Sequence, residues 1–526
     1  MSNLEMAAWI ERHWRKISAL FGLAGIGLIL FITAPYGAGV SGDAVDYLST
    51  ADSLKRGAGF TDFSGEPYIY WPPLYPLMLA GLSGLLRLDT FVVGGWLNAL
   101  SFGVVIVLAG RLFHEAFDEH SLWAVGGTVL TLTALPLIQL ATNILADVLF
   151  IVLVLLYSLW GRAYRRPPAP KRLLGLSVLS SAAAVLRWHG VLMVASVVAL
   201  ALIANRRQIH IALWDAFGAG LLGALPFAAW VLGRNYRLLG SFMGYRDTAD
   251  ISIAHNLQDA AQKIAHWFVP DQLFSQVPLW LVVAGAVILL LLMPSKENWR
   301  QFFRRLFSAQ HWPWLLFFTL DFGFITFTSV SYDHAAYFDD RYYAPLFVFL
   351  ALLLGLILRD LVFAPLCRRW PVAARLLLIV GITLWLLYPV YRLYKYTVVS
   401  RTQGEPTYNI YNSQKFRSSA LVNQLVDPHF DDARPLYSNY PAAVYFYTRK
   451  ITLRAPIAPS ENPDDIAGLY NLYADWPPEG EAALIWFLPN HWHYYYHPDD
   501  LTNIADIESE FISPDGIIYS VVQRNP

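Results

Sequence analysis

Cysteine is almost missing: Cys367 stands alone among 526 residues, so no internal disulfide framework exists and the compartment's redox state leaves no mark on the chain. Charge is scarce as well. Only 15% of residues are Asp, Glu, Lys or Arg, and they nearly cancel to a formal net charge of -1. That excludes a bulk basic surface for nucleic acid and makes any electrostatic argument a local one. The chain has no Walker loop, no GxSxG, no HExxH and no paired CxxC. Nucleotide hydrolysis, serine hydrolysis and thiolate zinc sites therefore lack sequence support. No repeat of solenoid period and no low-complexity tract is present.

What fills the chain instead is apolar. With 56% hydrophobic and 15% aromatic residues, the composition is that of an α-helical polytopic membrane protein. A crossing helix needs about 20 mostly apolar residues. Runs at 17–35, 91–111, 121–141, 144–164, 173–187, 190–204, 211–233, 277–293, 313–330, 343–363 and 376–394 predict about eleven transmembrane helices. The first run ends in Pro35-Tyr36-Gly37 rather than a small-residue cleavage site, so it reads as a retained anchor. With the N-terminus cytoplasmic, the inner segments hold nineteen Lys and Arg, and the outer segments before the tail nine. This imbalance fits the positive-inside rule and a multi-pass cell-membrane protein.

The stretch "PPLYPLMLAGLSGLLRL", 72–88, is nearly apolar enough to be a twelfth span. Counting it would place "RRPPAPKR" outside, so it is assigned as an interfacial or re-entrant helix on the outer face. Two short spans, 173–187 and 190–204, meet at "RWHG" in a tight hairpin. The chain thus divides into a transmembrane domain, 1–394, with an outer-face loop and re-entrant helix at 36–90, and a small soluble extracytoplasmic α/β domain, 395–526. In that tail "RPLYSN", "KITLRAPI", "AALIWFLP" and "GIIYSVVQ" read as strands, "YPAAVYFYT" and "PDDLTNIADIESEF" as helices.

Under this topology Asp43, Asp46, Glu66, Asp147, Arg187, His189, Arg234, Asp333, His334, Asp339, Asp340 and Arg341 gather on or near the outer face. Charges at membrane depth are costly and usually functional, whereas those in the headgroup zone are ordinary. Asp43, in "GDAVDY", has helix capping as its plain reading. Asp147 opens an apolar run, where an acid in the first helical turn suits the helix dipole. Arg187 has apolar residues on both sides and needs an anionic partner, either a ligand or an acid such as Asp147. "YDHAAYFDDRYYAP", 332–345, sets Arg341 and Tyr342 before a span. An interfacial aromatic belt accounts for its tyrosines but not for the arginine. "HWHYYYHP", with His491, His493 and His497, has metal-like spacing but no accompanying acid cluster, so it reads as a surface aromatic loop.

The order of these features is specific where each alone is weak. A first span, an outer loop opening with "GDAVDY", then "LKRGAGF", "WPPLYP", an acid before span four, "LRWHG" and "DDRYYAP" resembles the GT-C superfamily of membrane glycosyltransferases. Within it, the likeness is to the branch of protein O-mannosyltransferases and the lipid A aminoarabinose transferase, over most of residues 15–365. The resemblance implies transfer of a sugar from a polyprenyl-phosphate donor to a glycan, lipid or protein acceptor at the extracytoplasmic face, with inversion. It puts the loop carboxylate that faces the acceptor hydroxyl at Asp43. Substrate-side positions then match Asp147, Arg187, often Lys in relatives, and the pair Arg341 and Tyr342. Some relatives carry adjacent acids in the first loop; here Asp43 is followed by Ala44, so no metal or other cofactor is assigned.

The residue chemistry agrees with that class. A direct displacement needs one base at the attacking hydroxyl, here Asp43. It also needs cations at the departing phosphate, here Arg187 and Arg341 with His189 and Tyr342 beside them. The competing class is a membrane transporter or flippase of anionic or lipid-linked substrates. It calls for polar residues at mid-depth in several spans and for repeat symmetry. Asp321 in span nine is the main acid well inside a run.

Overall fold

In a computed structural model of the chain, residues 3–117, 121–162, 164, 170–240, 242, 252–270, 294–331, 340–428, 430, 433–458, 466–488 and 495–524 are described. Contacts divide them into two compact units. One comprises Met1–Ile32, Ile69–Leu74 and Trp96–Val398; the other Thr33–Tyr68, Tyr75–Gly95 and Val399–Pro526.

The first unit is helical. Its helices include Asn3–Thr33, Asp147–Arg162, Pro170–Ala184, Gly190–Ala204, Ile209–Ala228 and Trp312–Ser331. Leucine, valine, phenylalanine and alanine dominate them. In lipid no water can satisfy backbone groups, so a crossing segment must bond to itself as a helix. By length and composition, four described helices are long and apolar enough to cross a membrane: Trp9–Thr33, Thr90–Ala116, Ile209–Leu239 and Arg341–Arg369. A fifth arises if Leu122–Leu132 and Leu135–Ala141, bent by 48°, count as one span. The eleven expected spans are therefore not reached by this measure. Several expected spans form helices of only 15 or 16 residues, at Pro170–Ala184, Gly190–Ala204 and Asp147–Arg162, and the run 277–293 lies outside the described residues. Pro226 sits inside Ile209–Ala228, and the chain passes into a π-helical turn, Ala229–Asn235, as expected where a missing N–H disrupts the ladder.

The second unit joins parts of the chain far apart in sequence. The helix Gly42–Lys55 buries Ala44, Val45, Tyr47, Leu48 and Ala51. The Asp52 carboxylate accepts from Thr90 Oγ1 at 2.9 Å and Tyr445 OH at 3.3 Å, and it lies 3.5 Å from Arg449 Nη1. Val40 N donates to Asn409 Oδ1, and Asn412 Nδ2 donates to the carbonyls of Tyr36 and Ala38. These bonds tie Tyr36, Ala38, Val40 and Asp52 of the first loop to the tail. The helix Leu74–Leu86, within the stretch assigned as interfacial or re-entrant, has 13 residues. At 1.5 Å per residue it spans about 20 Å, short of a bilayer core.

The tail carries a five-stranded sheet: β1 Leu436–Ser438, β2 Thr452–Arg454, β3 Glu481–Phe487, β4 Ala505–Ser513 and β5 Gly516–Gln523, in the order β2-β1-β3-β5-β4. β1 pairs in parallel with β2 and β3, while β5 runs antiparallel to β3 and β4. β3 is buried from Ala482 to Phe487, which is why it reads as a continuous apolar run. The four expected strands and the helix Pro441–Thr448 form. The expected helix over 498–511 does not: only Pro498–Leu501 is helical, and Ala505–Ser513 is β4. Its polar residues belong to a largely exposed edge strand, where charge guards against further pairing.

Candidate functional site

The helical unit brings Asp147, Arg187, His189 and Asp321 together at the turn "LRWHG". Leu186 N and Arg187 N both bond the carbonyl of Ala183, at 3.2 and 3.0 Å, and Gly190 N bonds Arg187 O at 2.8 Å. A Cβ on Gly190 would lie 1.9 Å from Ala183 O, so only glycine permits so tight a turn. The turn leaves Arg187 3% exposed. Its Nη2 stands 3.0 Å from Asp147 Oδ1, and its guanidinium carbon 5.6 Å from the Trp71 ring centroid. Trp71 is held close because Trp188 Nε1 donates to Tyr70 O and Leu74 N to Val185 O, each at 2.9 Å. Asp147 opens its helix and is 2% exposed. The Asn98 amide steadies the preceding segment by donating to the carbonyls of Asn143 and Leu145.

His189, two residues beyond Arg187, extends the cluster. Its Nδ1 lies 3.4 Å from Asp321 Oδ1, and Asp321 is fully buried. Its ring stacks on Tyr342 at 5.8 Å and 7°, with Phe150 and Phe324 edge-on. The Arg341 guanidinium carbon is 5.3 Å from the Tyr342 ring centroid. Asp147 thus contacts Arg187, and His189 contacts Tyr342, which lies against Arg341; the two groups meet in sequence at the turn that carries Arg187 and His189. The salt-bridge reading of Arg187 holds: Asp147 is its partner. A guanidinium has five N–H donors in a planar fork and can hold a carboxylate and a phosphate oxygen together.

Asp43 belongs to the other unit. It lies in the first turn of Gly42–Lys55 and is not the cap; Ser41 is, its Oγ accepting from Ala44 N at 3.2 Å. Asp46 follows one turn later on the same face. The Asp46 carboxyl is pushed well above the usual carboxylate range, first by desolvation, then by the negative charges of Asp43 and Asp62, with Arg454 opposing. It therefore favours keeping a proton where an ordinary aspartate has lost it. Burial and then Asp52 push the Tyr445 phenol up to about 12.

Sequence reasoning did not select Asp46, Asp321 or Trp71 for the site. The spacing of Asp43 and Asp46 was a usable signal for the first, and an acid within an apolar run for the second. Trp71 opens the quoted "WPPLYP", but nothing local ties it to Arg187. Asp333, His334, Asp339, His491 and His493 lie outside the described residues. Among the described residues, no group of three or more His, Cys, Asp or Glu is placed to hold a metal ion.

No protein-family model and no curated protein matches this sequence. Solved structures do. ArnT from Cupriavidus metallidurans bound to undecaprenyl phosphate matches with a TM-score of 0.55 and 14% identity, over 95% of this chain and 97% of that one. Its apo state gives a TM-score of 0.57 at the same identity and coverage. The archaeal oligosaccharyltransferase AglB from Archaeoglobus fulgidus, in complex with an inhibitory peptide and a dolichol-phosphate, matches with a TM-score of 0.51 and 10% identity, over 91% of this chain and 70% of that one. Both neighbours are GT-C superfamily membrane glycosyltransferases, and the likeness to them is one of fold.

Proposed function

We propose that this chain is an integral membrane glycosyltransferase. It moves a sugar from a polyprenyl-phosphate donor to an acceptor at the extracytoplasmic face, by inverting displacement. The acceptor oxygen attacks the anomeric carbon and its proton passes to Asp43. The bond from that carbon to the phosphate oxygen breaks, and polyprenyl phosphate departs as the anion. Arg187 and Arg341 hold the departing phosphate, Asp147 orients Arg187, and His189 and Tyr342 frame the donor.

The observation that carries this reading is the buried guanidinium of Arg187, 3.0 Å from Asp147 and flanked by Trp71, in a chain with the fold of two GT-C transferases. A planar cation in a site of low dielectric acts most strongly where phosphate charge develops. The test is consumption of radiolabelled polyprenyl-phosphate sugars by the purified protein. Loss of general-base help costs about 10² to 10⁴ in rate, so Asp43→Asn should lower turnover by that factor while donor binding persists. Failure to consume any donor in a broad panel overturns the reading. So does full activity of the Asn form. Movement of a donor across vesicles without its cleavage would point to a flippase instead.

A further inference from the structure

The amphipathic helix Lys296–Leu306 has two faces with different tasks. Phe302 and Leu306 are buried, and Asn298 Nδ2 donates to the carbonyl of Asp360 at 3.2 Å, so one face is fixed to the helical unit. The helix is anchored at its end too: His311 Nδ1 bonds Arg305 O, and Trp312 Nε1 donates to Phe307 O. Along another face runs a ladder four residues apart. Trp299 stacks on Phe303 at 5.5 Å, and Phe303 on Phe307 at 6.2 Å; Phe303 and Phe307 are 47% and 60% exposed. Offset by one residue runs a second ladder, of cations: Lys296, Arg300 and Arg304, all exposed.

The neighbouring helix Ala364–Arg369 adds the exposed Arg368 and Arg369, followed by Trp370, 60% exposed. The π-helical turn Leu358–Phe363 runs directly into Ala364–Arg369, and through Asp360 it is bonded to Asn298 and Arg305 of Lys296–Leu306. Its Asp360 is taken up by Arg305, at 2.7 and 2.9 Å, and by Arg359 at 2.8 Å, so it does not neutralise the outer ladder. Lys296, Arg300, Arg304, Arg368 and Arg369 are all exposed on these two helices, whose one acid is Glu297, which accepts from Gln301.

We propose that this surface docks the headgroups of anionic phospholipids, in the cytoplasmic leaflet on the topology read from the basic residues. The aromatic ladder enters the acyl boundary while the adjacent cation ladder meets lipid phosphates. An acidic protein would complement the charge, but it would not call for an aromatic row running parallel to the cations.

The test uses the full-length protein in neutral detergent, titrated with phosphatidylglycerol or phosphatidylcholine while its unfolding temperature is read. Phosphatidylglycerol should raise the midpoint and phosphatidylcholine should not. The variant Arg300→Gln/Arg304→Gln/Arg368→Gln/Arg369→Gln should lose at least half of that rise. Arg206→Gln/Arg207→Gln, which removes exposed cations from another loop, should keep it. Equal shifts by the two lipids, an undiminished shift in the fourfold variant, or equal loss in both variants would overturn the proposal. If the fourfold variant does not purify, Arg300→Gln/Arg304→Gln is held to the same criterion.

Discussion

Two aspartates, Asp147 in one compact unit and Asp46 in the other, are held in opposite ways. In the helical unit buried charges come matched: Arg187 with Asp147, Asp360 between Arg305 and Arg359. In the unit built from the first loop and the tail, Asp46 keeps its proton more readily, first through desolvation and then because Asp43 and Asp62 stand near it. A buried ion pair is held by mutual attraction and fails when one member is removed. A crowded carboxylate is held by its proton and fails when pH removes it. The same residue type therefore carries opposite sensitivities at Asp147 and Asp46.

The largest effect should come from breaking the matched pair. Arg187→Ala strands the Asp147 carboxylate and should cost about 3–5 kcal/mol of stability, read as a lowered unfolding temperature in detergent. Arg187→Leu with Asp147→Leu should recover much of that loss; if the double variant is as unstable as the single one, the pair is not the source of the cost. Next comes the turn that sets the pair. Gly190→Ala drives a methyl into the Ala183 carbonyl and should cost about 1–3 kcal/mol. An unchanged midpoint would mean that the turn relaxes without penalty.

The smallest and most specific effect lies in the acid-rich unit. A carboxyl whose pKa is raised on folding binds more protons folded than unfolded, so stability falls as pH rises through the window above its ordinary value of 3.8. Asp46→Asn removes the titrating group. It should stabilise the protein at pH 7 to 8, and the gain over wild type should vanish near pH 4. A gain independent of pH would assign the effect to packing rather than charge.

Much of the candidate site was legible because membrane depth makes charge conspicuous. Arg187 amid apolar residues had to have an anionic partner, and Asp147 was named as the acid that could supply it. Asp321 was noticed for the same reason, but the chain gave no hint that His189 would face it. Trp71's place over Arg187 was out of reach: it depends on hydrogen bonds of Tyr70 O and Leu74 N to Trp188 Nε1 and Val185 O, more than a hundred residues away. Edge strand β4 was misread because its polar residues fit a surface helix as readily as a strand with one neighbour.

By itself the sequence determined what short-range chemistry controls: apolar runs that must be helical in lipid, the glycine that permits the "LRWHG" turn, and the central strand of the tail. Only the tertiary structure decided which charges meet. A carboxylate's partner is chosen by distances of 3 to 4 Å, and those are set by packing between segments that sequence order leaves far apart. Thus Asp52, within the first loop, has Thr90, Tyr445 and Arg449 around it, partners that no local stretch of the sequence names.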